Sequence, residues 1–324
     1  MPSNRELYNK PTLNVLNDDQ IEQIHLATME VLERTGIRIT HLKALELLDG
    51  AGASVNGNRV RIPAQLVEQA LHTSPSHFAL GKRNGEPAIF LEDNKSYFGA
   101  GLDGVDYLNP ITDERRRFSS EDCQAIATIS NSLSNCSWSM TLGLAADVPS
   151  EIADRVIAKR ALTYCEKPLF FCSNNPNSVR AIYDMALLIA GSEERFRQAP
   201  TTAAISSAIS PLSWDDDTLE KVVFCAEKGM PQVLYPGLQA GATSPATFAG
   251  TIVQGSAESL SGLVVTQLVR AGAPVIYGAL TTIMDMATAI RLREKTRKLM
   301  ELDTEQLPIE IIKEMDRMEN KWYL

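Results

Sequence analysis

From Tyr97 onward the chain repeats one unit, a short apolar run followed by a longer segment with helical spacing. The apolar runs are 97–101, 137–145, 168–174, 202–210, 232–237 and 274–282. The segments at 120–133, 150–165, 177–190, 214–228 and 245–271 read as the helices between them. Strands joined by helical crossovers must pair in parallel and bury both faces. Runs rich in small and hydroxyl residues, such as TAAISSAIS at 202–210, suit the inside of a barrel better than a flat sheet. Successive units without a reversal of order point the same way. The expected fold is α/β, of the (β/α)8 TIM-barrel type. Six strands are visible where closure needs eight. After Asp285 the chain turns into a charged, helix-like stretch, so the barrel is expected to be incomplete.

The first 95 residues read differently, as a small α+β unit. Helical spacing runs through 18–36 behind Asn17 or Asp18, and again through 40–49. Asn56-Gly57 and Asn84-Gly85 each mark a hairpin, and Pro63 opens a third helix. The expected division is an N-terminal unit over 1–95, a partial barrel over 96–289 and a helical tail over 290–324.

Within the segment 245–271, Gly250, Gly255 and Gly262 each weaken a helix by about 1 kcal/mol against alanine. Such glycines point to close packing, expected here against neighbouring barrel helices. The same face is a candidate subunit interface, so a homo-oligomer is expected. Thr243 or Ser244 is the expected N-cap, with Pro245 in the first turn.

Gly99-Ala-Gly101-Leu-Asp103-Gly104 matches the dinucleotide fingerprint G-x-G-x-x-G. The match leads not into a helix start but into Asn109-Pro110 and a charged turn, and Asp103 would repel a phosphate. It is read as a tight loop after the first strand. A net charge of −9 argues against nucleic acid and anionic membranes as partners. No apolar leader opens the chain and no run approaches a membrane span, so a cytoplasmic location is expected. Five scattered cysteines lack metal or disulfide spacing. All four histidines (His25, His41, His72 and His77) precede the barrel region, leaving it without an imidazole for metal binding or general-base work.

The run GLQAGATSPATFAGTIVQGSAESLSGLVVTQLVRAGAPVIYGALTTIMDM at 237–286 resembles the trimethylamine methyltransferase family. YFGAGLDGVDYLNP at 97–110, ISPLSWDDDTLE at 209–220 and LNDDQIEQIH at 16–25 resemble it as well, in the family's order. The resemblance is to the glycine betaine methyltransferase type that lacks pyrrolysine, without the family's late barrel segment. It implies transfer of a methyl group from a small quaternary or tertiary amine to Co(I) of a separate corrinoid protein. Glycine betaine is the first expected donor and trimethylamine the second. No cofactor would be held tightly by this chain; the cobalamin would arrive on the partner. The alternative is a truncated relative that binds without catalysing.

A quaternary ammonium donates no hydrogen bond, so aromatic faces and carboxylates are its natural hosts. Tyr97, Phe98, Trp138, Phe171, Tyr235 and Tyr277 lie on or beside the expected strands, and Tyr235 and Tyr277 hold similar places in consecutive ones. Each could equally be core filling. Asp103 and Asp285 come after the first and last strands and could face a cationic donor, or could only bond their own turns. Asn174 ends the third strand and could orient a ligand or cap the next helix. Free N–H groups around Thr243 could receive a donor's carboxylate.

Overall fold

The computed structural model describes residues 15–92, 95–101, 104–285 and 290–291. Asn17 opens the first helix: its side chain accepts the Gln20 N–H, and the Gln20 side chain accepts the Asn17 N–H in return. Helix α1 (Asp18–Glu30) passes into one π-helical turn, Val31–Thr35, which ends at Gly36 with φ +69°. A Cβ at Gly36 would also meet the Val60 carbonyl at 2.3 Å. The chain continues through β1 (Ile37–Ile39), α2 (Leu42–Gly50), β2 (Ser54–Asn56), β3 (Arg59–Arg61) and α3 (Ala64–Thr73). Asn56-Gly57 turns β2 into β3, and Asn84-Gly85 joins β4 (Phe78–Gly81) to β5 (Pro87–Leu91), as the sequence leads one to expect. A third hairpin, β6 (Asp106–Leu108) with β7 (Arg115–Arg117), carries no Asn-Gly signal; its turn is held by Asn109 and by Asp113 at φ +55°.

Beyond it lie α4 (Ser120–Ser132), β8 (Ser139–Met140), α5 (Ser150–Tyr164), β9 (Leu169–Phe171), α6 (Pro176–Ala190) and α7 (Glu193–Gln198). Next come β10 (Thr202–Ser206), β11 (Ser213–Trp214), α8 (Asp216–Lys228), β12 (Gln232–Leu234) and β13 (Gly237–Ala240). The last elements are α9 (Phe248–Val269), β14 (Val275–Tyr277), β15 (Leu280–Asp285) and β16 (Ile290–Arg291). Strands β8, β9, β10, β12 and β14 form one parallel sheet, neighbours in chain order. This is the order of a (β/α) barrel wall, and the described residues do not close it into a ring.

Five local expectations are corrected. The run 97–101 is not a strand: among the described residues it makes two backbone bonds to the segment leading into β8, Ser137 N–H to Phe98 O at 2.6 Å and Ala100 N–H to Trp138 O at 3.4 Å. Two glycines there leave little side chain to pack, and the Trp138 ring occupies the space a Gly99 side chain would need, at 2.3 Å. The fifth and sixth strands each break after a tyrosine, at Pro236 and at Gly278-Ala279, and resume as the parallel pair β13–β15. Trp214 does not begin a helix but pairs beside Ile39 of β1; Asp215 is the N-cap of α8. Helix α9 starts at Phe248 with Thr247 as N-cap, not at Pro245. Ile290–Arg291 pairs antiparallel with Met284–Asp285 instead of starting the helical tail, and 292–324 lie outside the described residues.

Of the three glycines, Gly255 and Gly262 mark close packing, against the sheet side rather than neighbouring helices, while a Cβ at Gly250 would meet only Thr247 and Pro245 at the start of its own helix. A Cβ at Gly255 would stand 2.5 Å from Leu238, and one at Gly262 would stand 2.8 Å from the Trp214 ring. Trp214 is fully buried and donates its indole N–H to Ser261 Oγ at 2.9 Å. Around it one core gathers Met29, Leu32, Ile39 and Val60 with Leu260 and Leu263 of α9.

Candidate functional site at the strand ends

Register decides which side chains share a face. Gln232, fully buried, donates from Nε2 to the Val222 carbonyl of α8, so it points at the covering helices. Leu234 and Val275 point the same way and join the core under α9. Val233 and Tyr235 alternate with Gln232 and Leu234, and the pairs Ala203↔Phe170 and Ile205↔Val233 put Phe170 on their side, so these three line the opposite, inner face. The pairing Leu234↔Tyr277 therefore puts Tyr277 on the helix-covered face and Tyr235 on the inner one. The two tyrosines are not brought together. Tyr277 instead borders a cavity of about 290 Å³ with His25, Leu71 and Leu260.

Height along the strands separates the remaining aromatics. The Tyr97 hydroxyl accepts the Phe90 N–H at 3.0 Å and donates to the Phe90 carbonyl at 3.1 Å, fixing it to the β4–β5 hairpin. Trp138 meets Phe170 edge-on, ring centres 5.3 Å apart. By the ladder register Trp138 lies about six residues, roughly 20 Å of strand, below Tyr235. Tyr97 and Trp138 thus belong to the N-terminal ends of the strands, whereas catalytic sites of this fold occupy the C-terminal ends. Phe98 is 76% exposed.

Of the sequence candidates, Tyr235 and Asn174 stand at the C-terminal rim. The Asn174 N–H donates to Asp154 Oδ2 at 2.9 Å and its Nδ2 to the Ser150 carbonyl at 3.4 Å; capping of α6 falls to Asn175. The N–H groups of Ala242, Thr243 and Ser244 are not free, because all three donate to the Gln239 carbonyl. The Thr243 hydroxyl accepts the Gln239 N–H at 3.0 Å. Asp285 ends β15, about seven residues of extended chain past Gly278, and has an interaction partner of its own. Asp103 lies outside the described residues; its neighbour Gly104 bridges Gly143 beyond the end of β8.

Sequence reasoning missed the buried polar groups behind this rim. Lys221 of α8 is buried and donates from Nζ to the Ser173 carbonyl, just past β9. Glu258 of α9 is fully buried and accepts from Ser210 Oγ at 2.6 Å, the Leu212 N–H at 2.8 Å and Gln254 Nε2 at 2.9 Å. Ser259 donates to the Gly278 carbonyl at 2.9 Å. One signal was available: Glu258 is the single charged residue between Phe248 and Val269. Among the described residues no group of three or more His, Cys, Asp or Glu side chains could hold a metal ion, and no helix is long and apolar enough to cross a membrane.

The parallel wall and its rim coincide with a family-wide match. Residues 2–290 fit the family model described as Trimethylamine methyltransferase (MTTB). The chain belongs to the trimethylamine methyltransferase family. The glycine betaine methyltransferase of Desulfitobacterium hafniense (strain Y51) is 27% identical over 277 residues, covering 85% of this chain and 58% of the relative. The trimethylamine methyltransferase MttB of Desulfitobacterium hafniense (strain DSM 10664 / DCB-2) is 31% identical over 272 residues, 83% of this chain and 55% of the relative. The proline betaine:corrinoid methyltransferase of Eubacterium limosum is 27% identical over 306 residues, 87% and 59%. This family member thus spans somewhat over half the length of these relatives.

Proposed function

We propose that this chain serves a methyltransferase that moves a methyl group from a small methylated amine to the Co(I) centre of a separate corrinoid protein. Family membership over residues 2–290 is the observation that carries this reading. The chemistry of the inner face agrees with it. When bound, the corrin supplies the nucleophile; the C–N bond breaks with its electron pair on nitrogen, so a quaternary donor leaves as a neutral amine and no proton need move. A barrel wall without histidine is suited to that reaction. The chain itself must supply a surface for a cation, orientation for in-line attack and exclusion of water. Tyr235, on the inner face at the rim, offers a π-face to the ammonium.

The finer reading is a quaternary donor of the betaine type, with Asp103, Asn174, Thr243 and Asp285 retained as candidate contacts beside Tyr235. A non-catalytic binding role is the second reading. Both are tested by offering Co(I) corrinoid protein with glycine betaine or trimethylamine and following the change in corrin absorbance. Methylation with either amine supports the enzyme and names its donor. Donor binding without methylation supports the second reading.

A further inference from the structure

Glu258 places a carboxylate in the interior without an ion pair among the described residues. Such a group is costly unless its hydrogen bonds are complete, and packing alone would be served by an apolar side chain. Its three donors show what it holds. Ser210 and Leu212 belong to the loop after β10, where Leu212 is at φ +47°, a conformation unfavourable for leucine. The third donor, Gln254, also gives a hydrogen bond from Nε2 to the Thr243 carbonyl at 2.8 Å, in the turn after β13. One turn of α9 thus ties the loop after β10 to the turn after β13.

We propose that Glu258 and Gln254 are positioning residues, a clasp that makes these two rim loops order and loosen together. Resting on the methyl-transfer reading, the clasp sets the shape of the donor site beside Tyr235 without touching the donor. Removing Glu258 frees the loop it contacts and releases Gln254, so the turn at 241–244 loosens although Glu258 does not contact it. Removing Gln254 acts in reverse, through a partly exposed residue whose loss leaves the core intact.

The test is amide exchange on the whole chain, read by mass spectrometry in peptides covering 207–213 and 239–245. Glu258→Ala and Gln254→Ala should each raise exchange about tenfold in both peptides and leave 202–206 and 232–234 unchanged. Glu258→Gln keeps an acceptor for the Leu212 N–H and should restore most of the protection in 207–213. Loosening confined to one peptide, or none, overturns the clasp. General loosening in Glu258→Ala with two-loop loosening in Gln254→Ala still supports it. In preparations that methylate a corrinoid protein, Gln254→Ala should raise the donor KM about tenfold with kcat within twofold; an equal loss in both overturns the positioning role. If the unmodified chain transfers no methyl group, the functional reading fails while the exchange result still decides the clasp.

Discussion

Asp122 illustrates how single residues in this chain are held by charge. Arg116 reaches it with two hydrogen bonds, at 2.6 and 2.7 Å, and Ser119 adds a third from its hydroxyl at 2.7 Å. The Arg116 hydrogen bond, against the opposing effect of burial and with help from Ser119, lowers the carboxyl to about 2. A depressed carboxylate contributes stability that is present above its unfolded value and lost as pH falls through the folded one. The window is therefore from about pH 4 down to about pH 2. Because Arg116 is half exposed, the contribution is on the order of 1–2 kcal/mol. Asp122→Asn should lose that amount at neutral pH and show no corresponding step in acid unfolding. An unchanged acid limb would mean the pair is screened out. Tyr277 shows the limit of reading single residues: it and Tyr235 look equivalent in the sequence, yet their strands pair one residue out of step, and one residue reverses the face. Register depends on long-range pairing, which no local pattern encodes.

At the level of elements, α9 was legible in kind and not in detail. Gly255 and Gly262 signal close approach, but their partners lie outside the helix, Leu238 and Leu234 in the two strands just before it and Trp214 in β11, a pairing no helical pattern shows. Pro245 suits a first helical turn, whereas the Thr247 side chain accepts the Gly250 N–H at 3.2 Å and so caps the helix, which starts three residues later at Phe248. Gly262→Ala should cost about 1–3 kcal/mol, since its Cβ would press on the Trp214 ring and that ring is walled in. Gly101→Ala, where a Cβ would meet nothing within 4 Å, should change stability by about 0.5 kcal/mol at most. Thermal or urea unfolding of the two variants checks the contrast. Comparable losses at both sites would remove close packing as the reason for the glycine in α9.

At the scale of the whole molecule, the alternation of apolar runs and helices was enough to foresee a parallel wall in chain order, because crossover connections have one workable hand. The functional end of that wall was less legible. Aromatic residues near the start of a run and near its end look alike in sequence, but Tyr97 and Trp138 lie at the opposite end from Tyr235. The wall also has two sides, an inner face bearing Tyr235 and a helix-covered face where Tyr277 borders its own cavity. On the proposed methyl-transfer reading the donor must meet the corrin, so it needs the face that helices do not cover. Tyr235→Leu should then raise the donor KM roughly tenfold, the loss of one desolvated cation–π contact of about 1–2 kcal/mol. Tyr277→Leu should leave KM within about twofold. Isothermal titration with glycine betaine and trimethylamine checks the same ranking without turnover. If Tyr277→Leu weakens binding and Tyr235→Leu does not, the donor sits in the outer cavity beside His25, and the inner face is only the lining of a barrel.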